Sequence, residues 1–250
     1  MGETVSTSVT FAGCGDAFAS GGRFNTCFFV ETPQTCFTID FGASSLVALR
    51  KLGIDTNRID AVVLTHFHGD HCGGVPFLLL DAMLGARRTT PLAIIGPSDT
   101  ERRIRVLTDA LFPGMSAMKP RFELRYLDSG FESALHYQQL AVRSYPAHHT
   151  EATAPSSVRV EVGGKVIAYT GDSGWTPHMP AVARDADLFV CESYFFDKPV
   201  PFHMNHRDIV EHRAELTPKR MVLTHFSPQM LAHRQEACAE CAYDGLRIEL

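Results

Sequence analysis

No lysine or arginine precedes Arg23, so the first residues lack the charged region that leads an apolar secretory signal. No apolar run is long enough to cross a bilayer. The longest, residues 75–86, is interrupted by Asp81 and falls well below the roughly 20 residues of a spanning helix. Positive charge is not in excess either: 23 lysines and arginines against 28 aspartates and glutamates leave a formal charge of −5. Binding nucleic acid by bulk charge needs many phosphate-neutralising cations, so a large nucleic-acid partner is disfavoured. Repeats, low-complexity linkers and shifts of composition are absent, which points to a single domain over residues 1–250. The seven cysteines are odd in number and show no framework spacing, as expected of a chain in a reducing cytoplasm. Cys238 and Cys241 have CxxC spacing but no second pair, and read as part of a terminal helix or turn. The opening Met1-Gly2-Glu3-Thr4-Val5-Ser6 fits a myristoylation pattern only formally, because strand-like sequence already begins at Thr4.

What the chain has in abundance is histidine, 12 residues in all. Histidine is the commonest metal ligand and the side chain that titrates nearest neutrality. Short runs rich in Val, Ile, Phe and Thr, bounded by Gly, Asp or Pro, read as strands. They cover residues 8–11, 26–31, 35–40, 61–65, 92–95, 121–127, 140–144, 157–162, 166–169, 188–192 and 220–224. Gly163-Gly164 between two of them reads as a tight hairpin turn. Helices are predicted over residues 44–52, 74–84, 100–111, 177–183, 207–215 and 228–240. Ser98-Asp99 and Asn205 are their expected N-caps, and Pro177 and Pro228 fall in first turns, where proline is tolerated. Hairpin-rich stretches flanked by helices predict an α/β (α+β) architecture with sheet packed between helices.

The apolar run Ala61-Val62-Val63-Leu64-Thr65 leads directly into His66-Phe67-His68-Gly69-Asp70-His71. Alternation along an extended segment sets His66 and His68 on one side, while Asp70 and His71 project from the turn beyond, so the segment can serve two metals. Gly69 frees the backbone for that turn, and Gly73-Gly74 lets the next helix start close by. An exposed polar loop would not need three histidines interleaved with a carboxylate. Three further strand ends supply what the segment lacks. His148-His149 follows Tyr145-Pro146-Ala147, the Gly171-Asp172 turn follows Ala168-Tyr169-Thr170, and His225 follows Met221-Val222-Leu223-Thr224. A carboxylate at the Gly-Asp turn could bridge two cations. Each alone would read as a core histidine or a turn aspartate. Together, at the edge where layered sheets place their chemistry, they read as a metal centre.

The order HxHxDH, then histidine, then Gly-Asp, then Leu-Thr-His resembles the metallo-β-lactamase fold, a four-layer αββα sandwich with a dinuclear site, over roughly residues 5–250. The resemblance implies two divalent metal ions, with His66, His68 and His149 on the first, Asp70, His71 and His225 on the second, and Asp172 bridging them. His148 is the alternative to His149 for that one slot. Within the fold, Cys191-Glu192-Ser193-Tyr194-Phe195 resembles the His-Glu-Ala-Thr segment of ribonuclease Z-type phosphodiesterases, and His203-Met204-Asn205 resembles their His-Ser-Thr segment. In that group the histidine and glutamate act together on the phosphate and leaving group. The short stretch between His149 and Asp172 reads as a plain hairpin, without the long tRNA-gripping arm that such enzymes carry. Ser20-Gly21-Gly22-Arg23-Phe24-Asn25-Thr26 also resembles their N-terminal segment, and reads as a structural turn rather than as an anion site at Arg23.

The implied activity is hydrolysis of a small anionic phosphodiester by a hydroxide shared between the two metals. Zn²⁺ is the first expectation, with Mn²⁺ or Fe also suited to histidine and carboxylate ligands. Asp70 ligates and orients the nucleophile, and His203, held by Glu192, protonates the departing alkoxide. Homodimers are common in this branch. A thioesterase or lactonase of the glyoxalase II type, using the same hydroxide on a carbonyl carbon, is the alternative enzyme. A non-catalytic metal-binding sensor is the alternative of another class, disfavoured because structural zinc is usually closed by four side chains. His206 reads as a helix-start residue, and His136, His178, His212 and His233 as surface or packing residues. Cys72 reads as a small buried residue.

Overall fold

A computed structural model describes residues 6–131 and 133–250 of the chain. Six strands of the first half build one sheet in chain order: β1 (Ser8–Gly13), β2 (Cys27–Glu31), β3 (Cys36–Ile39), β4 (Ala61–Val63), β5 (Leu92–Gly96) and β6 (Leu124–Asp128). Seven strands of the second half build another: β7 (Leu135–Tyr137), β8 (Leu140–Pro146), β9 (Ser156–Val162), β10 (Lys165–Tyr169), β11 (Leu188–Glu192), β12 (Met221–Thr224) and β13 (Glu240–Cys241). The last strand, β14 (Arg247–Glu249), returns to the first sheet and pairs antiparallel with β1. Each sheet begins with antiparallel hairpins and continues in parallel, from β3 to β6 in the first and from β10 to β13 in the second. Parallel strands end at a common edge, and that edge gathers the chemistry.

The central strands β2–β5 and β11–β12 are buried on both faces and mostly apolar, so each sheet must be covered twice there. Val9, Phe11, Phe28, Ile39, Val158, Val160, Ile167 and Val190 form the buried layer between the sheets. On the outer face of the first sheet, Phe29, Val62 and Ile94 pack under α1 (Ser45–Lys51), α3 (Val75–Leu80) and α4 (Thr100–Leu111), with the short α2 (Gly69–Cys72) preceding α3. On the outer face of the second, Ala168, Phe189 and Leu223 pack under α5 (Met179–Ala183), α6 (His206–Glu211) and α7 (Pro228–Ala232). The result is the predicted αββα sandwich. Among the described residues no helix is long and apolar enough to cross a membrane. The myristoylation-like opening up to Val5 lies outside the described residues.

Local chemistry accounts for most element ends. Gly163 and Gly164 have φ of 56° and 72°, the left-handed pair that a tight hairpin between β9 and β10 requires. Asn205 caps α6 in a reciprocal box with Asp208, at 2.9 and 3.0 Å. Other expectations need correction. Asp99 caps α4 in position only; the side chain that accepts its first N–H groups is Asp128, at the end of the neighbouring β6. The helix expected from Pro177 starts later, at Met179, with Pro180 in its first turn. The helix predicted over residues 228–240 stops at Ala232, and Glu240–Cys241 instead extends the parallel sheet beside β12. Cys241 therefore lies in an edge strand rather than in a terminal helix, because the open edge of β12 offers backbone partners that a frayed helix end cannot match. The short β7 and β14 carried too few residues to show a period in the sequence.

Candidate metal centre

The centre is assembled on the common strand edge. Beyond β4 the chain carries Leu64 and Thr65 to a buried His66, and His68 enters α2 in extended backbone geometry. The first turn of α2 presents Asp70 and His71. Gly69 is not what makes this turn fit, since a side chain there would meet nothing. The crowding falls on Gly42 and Gly74: a Cβ at Gly42 would lie 2.1 Å from the Asp70 carbonyl, and one at Gly74 would lie 2.2 Å from the Gly42 carbonyl. With both positions bare, Phe41 donates to the His71 carbonyl at 2.7 Å and Gly74 donates to the Phe41 carbonyl at 2.9 Å. These contacts clamp the turn of α2 against the end of β3.

Two groups of side chains face each other across Asp172. His66, His68, His149 and Asp172 bring their ligand atoms within 4.8 Å of one another, and so do Asp70, His71, Asp172 and His225. His68 Nδ1 lies 3.2 Å from His66 Nε2 and 3.0 Å from His149 Nε2. In the second group His71 Nε2 is 3.1 Å from Asp172 Oδ1 and 3.3 Å from Asp70 Oδ2. His225 Nε2 lies 3.3 Å from Asp70 Oδ2 and 3.4 Å from Asp172 Oδ1. His148 does not join them: its backbone bridges to Gly174, its N–H donates to Ser173 Oγ, and the residue is exposed.

The far nitrogens of these rings are held from outside. His66 Nδ1 meets Thr65 Oγ1 at 3.1 Å, His71 Nδ1 meets Asp40 Oδ2 at 2.7 Å, and His149 Nδ1 meets the Phe202 carbonyl at 3.0 Å. Such outer partners fix the tautomer and aim the remaining lone pair inward. Burial opposes charge on every group here. At His66, His68 and His149 it prevails and holds each below the ordinary histidine value, leaving neutral rings. At His71 and His225 burial is outweighed by the Asp172 and Asp70 carboxylates, and both lie well above it. Asp70 and Asp172 are held far below the carboxylate range by the same contacts, against the effect of burial. His71 Nε2 and Asp172 Oδ1 are buried without a hydrogen-bond partner of proper geometry although they adjoin. Buried ligand atoms converging on one point, in a set of imidazoles and carboxylates, fit divalent cations, whose charge would take the place of the protons that these carboxylates hold on His71 and His225.

Glu192, at the end of β11, is fully buried. Its Oε2 accepts the N–H groups of Ser173 and Met204 at 2.8 and 3.3 Å, and its Oε1 meets His203 Nδ1 at 2.5 Å. Although burial favours the neutral ring, the Glu192 carboxylate and this hydrogen bond raise the His203 pKa above the ordinary value. A cavity of about 520 Å³ opens over the centre, lined by His68, Asp70, His149, Asp172, His203 and His225 with Ala17, Phe18, Asn25, Ala43, Gly69 and Tyr194. Arg23 takes no part in it: its guanidinium donates to the Ala242 carbonyl at 2.9 Å and lies over Phe226. His206 starts α6 and accepts the Cys238 N–H, His212 stacks on Trp175, and His233 stacks on Phe196. Burial pushes the Cys72 thiol up to about 12, in keeping with a packing role.

Sequence reading missed Asp40. This residue is fully buried in left-handed backbone, with φ of 58°, and it accepts from His71 Nδ1, from Thr65 N–H at 2.8 Å and from Thr65 Oγ1 at 2.8 Å. Its only sequence signal was an acidic residue closing an apolar strand, which is also what an ordinary turn shows. Phe18, which also lines the cavity, carried none, whereas Asn25 and Tyr194 fell within the two resembling segments without being singled out as site residues.

A sequence profile described as anti-Pycsar protein Apyc1 matches residues 7–242. A ribonuclease Z of Parabacteroides distasonis is 30% identical, with 88% of each chain covered. Among solved structures, the metallo-β-lactamase fold protein YhfI from Bacillus subtilis superposes with a TM-score of 0.79 at 20% identity, covering 98% of this chain and 100% of that one. The short form of human tRNase Z gives 0.76 at 24% identity, covering 97% and 98%. The chain thus belongs to the anti-Pycsar protein Apyc1 family and is a ribonuclease Z-like protein of the metallo-β-lactamase fold.

Proposed function

We propose that the chain is a dinuclear metal-dependent phosphodiesterase for small phosphodiesters. His66, His68 and His149 would hold one divalent ion, Asp70, His71 and His225 the other, and Asp172 both. Zn²⁺ suits this donor set, as do Mn²⁺ and Fe. When bound, two such ions acidify water and polarise a phosphoryl oxygen. The remaining work belongs to the protein's own side chains. Asp70 lines the cavity and orients the attacking water, and His203 protonates the departing oxygen.

The observation that carries this reading is the Glu192–His203 pair, 2.5 Å apart beside the same cavity. An alkoxide is a poor leaving group and needs a proton in the transition state, whereas a thiolate leaves without one. Glu192 favours the charged imidazolium and directs Nδ1 to itself, which leaves Nε2 as the donor. The name carried by the Parabacteroides distasonis relative points to the same bond class. Small size is supported by the cavity, whose volume suits a compact ligand and whose described lining residues include no lysine or arginine for further phosphates.

The test pairs metal analysis with turnover of bis(p-nitrophenyl) phosphate, cyclic nucleotides, a glutathione thioester, a lactone and a β-lactam on one metal-loaded sample. Diester turnover is expected. In His203→Ala, with metal content intact, cleavage of a diester with an alkoxide leaving group should fall by about 10²–10⁴-fold, and that of bis(p-nitrophenyl) phosphate much less, since p-nitrophenolate departs unaided. Thioester turnover without diester turnover would overturn the reading. Unchanged alkoxide-diester turnover in His203→Ala would remove the acid role.

A further inference from the structure

Several residues around the centre have left-handed backbones. For Asp40 and His225, with φ of 58° and 63°, the residue type tolerates that region comparatively well. Phe202 has φ of 69°, and a bulky aromatic there is an outlier that its surroundings must enforce. The ring does not enforce the conformation: it is 43% exposed and lies only edge-on to the exposed His148 and to His149, with centroids 5.3 and 6.4 Å apart. The backbone does. The Phe202 carbonyl accepts from His149 Nδ1 at 3.0 Å, and the next residue, His203, meets Glu192 at 2.5 Å. The rings of His149 and His203 adjoin, with centroids 4.9 Å apart. On the far side the chain is tied down at once, by Met204 N–H on Glu192 and by Tyr194 N–H on the Met204 carbonyl at 2.8 Å.

We infer that Phe202 is a positioning residue whose left-handed backbone serves the two histidines together. It aims its carbonyl at His149 Nδ1, which keeps the proton there and leaves Nε2 open toward His68, 3.0 Å away. It also sets the chain direction that seats His203 against Glu192. An extended or right-handed residue at this position would rotate the carbonyl off His149 while redirecting His203. The inference rests on the reading of His149 as a metal-holding residue, but not on which substrate is cleaved.

Glycine and proline separate backbone from ring. Phe202→Gly removes the ring but adopts positive φ freely, whereas Phe202→Pro confines φ to about −65°. The measurements are Zn²⁺ affinity by chelator competition and the tautomer of His149 by ¹⁵N NMR, on the full chain. Wild-type His149 should carry its proton on Nδ1. Phe202→Gly should keep that tautomer and an affinity close to wild type. Phe202→Pro should lose about 10–100-fold in Zn²⁺ affinity, the usual effect of removing an outer partner, and show a population protonated on Nε2. Three results would overturn the inference: wild-type His149 protonated on Nε2, which needs no variant to fold; Phe202→Pro unchanged in both measurements; or Phe202→Gly losing as much affinity as Phe202→Pro. His149→Ala reports separately on the centre. Loss of one Zn²⁺ there supports the ligand reading, and retention of both overturns that reading together with this inference.

Discussion

Replacing Asp40 with asparagine keeps the shape of a fully buried side chain and removes its charge. The carboxylate serves His71 Nδ1 at 2.7 Å and the Thr65 N–H and hydroxyl, each at 2.8 Å. The amide has one acceptor oxygen. If that oxygen keeps the Thr65 contacts, the NH₂ group meets the His71 ring donor; if it turns to His71, Thr65 loses its partner. Losing a hydrogen bond between charged groups costs about 1.5–3 kcal/mol. In a chain of 250 residues each kcal/mol moves the melting temperature by about 2–4 °C, so the metal-free protein should melt about 3–12 °C lower. The same loss frees the His71 ring to rotate or change tautomer, and Zn²⁺ affinity should fall by about 10–100-fold, equivalent to about 1.4–2.7 kcal/mol. Calorimetry of the metal-free protein and chelator competition on the loaded protein measure the two effects. An Asp40→Asn protein unchanged in both would show that Asp40 does not orient His71.

Arg88 is almost fully buried and donates to the carbonyls of Thr56, Asn57, Ile59, Thr90 and Pro91. Arg88→Met should cost more than about 3 kcal/mol in urea unfolding by stranding several acceptors, and Arg88→Lys should not restore it because the planar fork is lost; a midpoint within error of wild type would refute this. His206 Nε2 accepts the Cys238 N–H at 2.8 Å, and burial holds its pKa below the ordinary histidine value. Below about pH 6.5 the unfolded chain takes up a proton that the folded one resists, so this contribution to stability is present above that pH and is lost as pH falls through the depressed folded-state value. In His206→Ala the acid-side decline of the urea midpoint should be shallower than in the wild type, and an equal slope in the two proteins would contradict the assignment.

The candidate metal-holding segment from His66 to His71 was legible because its information is local. His66, His68, Asp70 and His71 fall within one stretch of six residues, where extended alternation pairs His66 with His68 and the turn beyond presents Asp70 and His71. The strand ends at Asp172, Glu192 and His225 were legible for the same reason. The choice between His148 and His149 was not, since neighbours in an extended chain point to opposite sides. It is the bridge from His148 to Gly174 that turns His149 inward. Asp40 was invisible because a lone strand-end aspartate is common, and only the parallel register of β3 on β4 brings it beside Thr65 and His71. The helix expected over residues 228–240 failed because local propensity competes there with the edge of β12, a partner distant in sequence.

By itself, then, the sequence marked most of the strands and helices, the layered architecture and the candidate donor residues apart from the choice between His148 and His149, all through side-chain chemistry and short-range periodicity. Tertiary structure alone decided which nitrogen of each ring faces inward, which carboxylate stands behind it, and that the Phe202 carbonyl adjoins His149. Those choices depend on hydrogen bonds between segments far apart in the chain and on left-handed backbones at Asp40, Phe202 and His225, which no local pattern encodes.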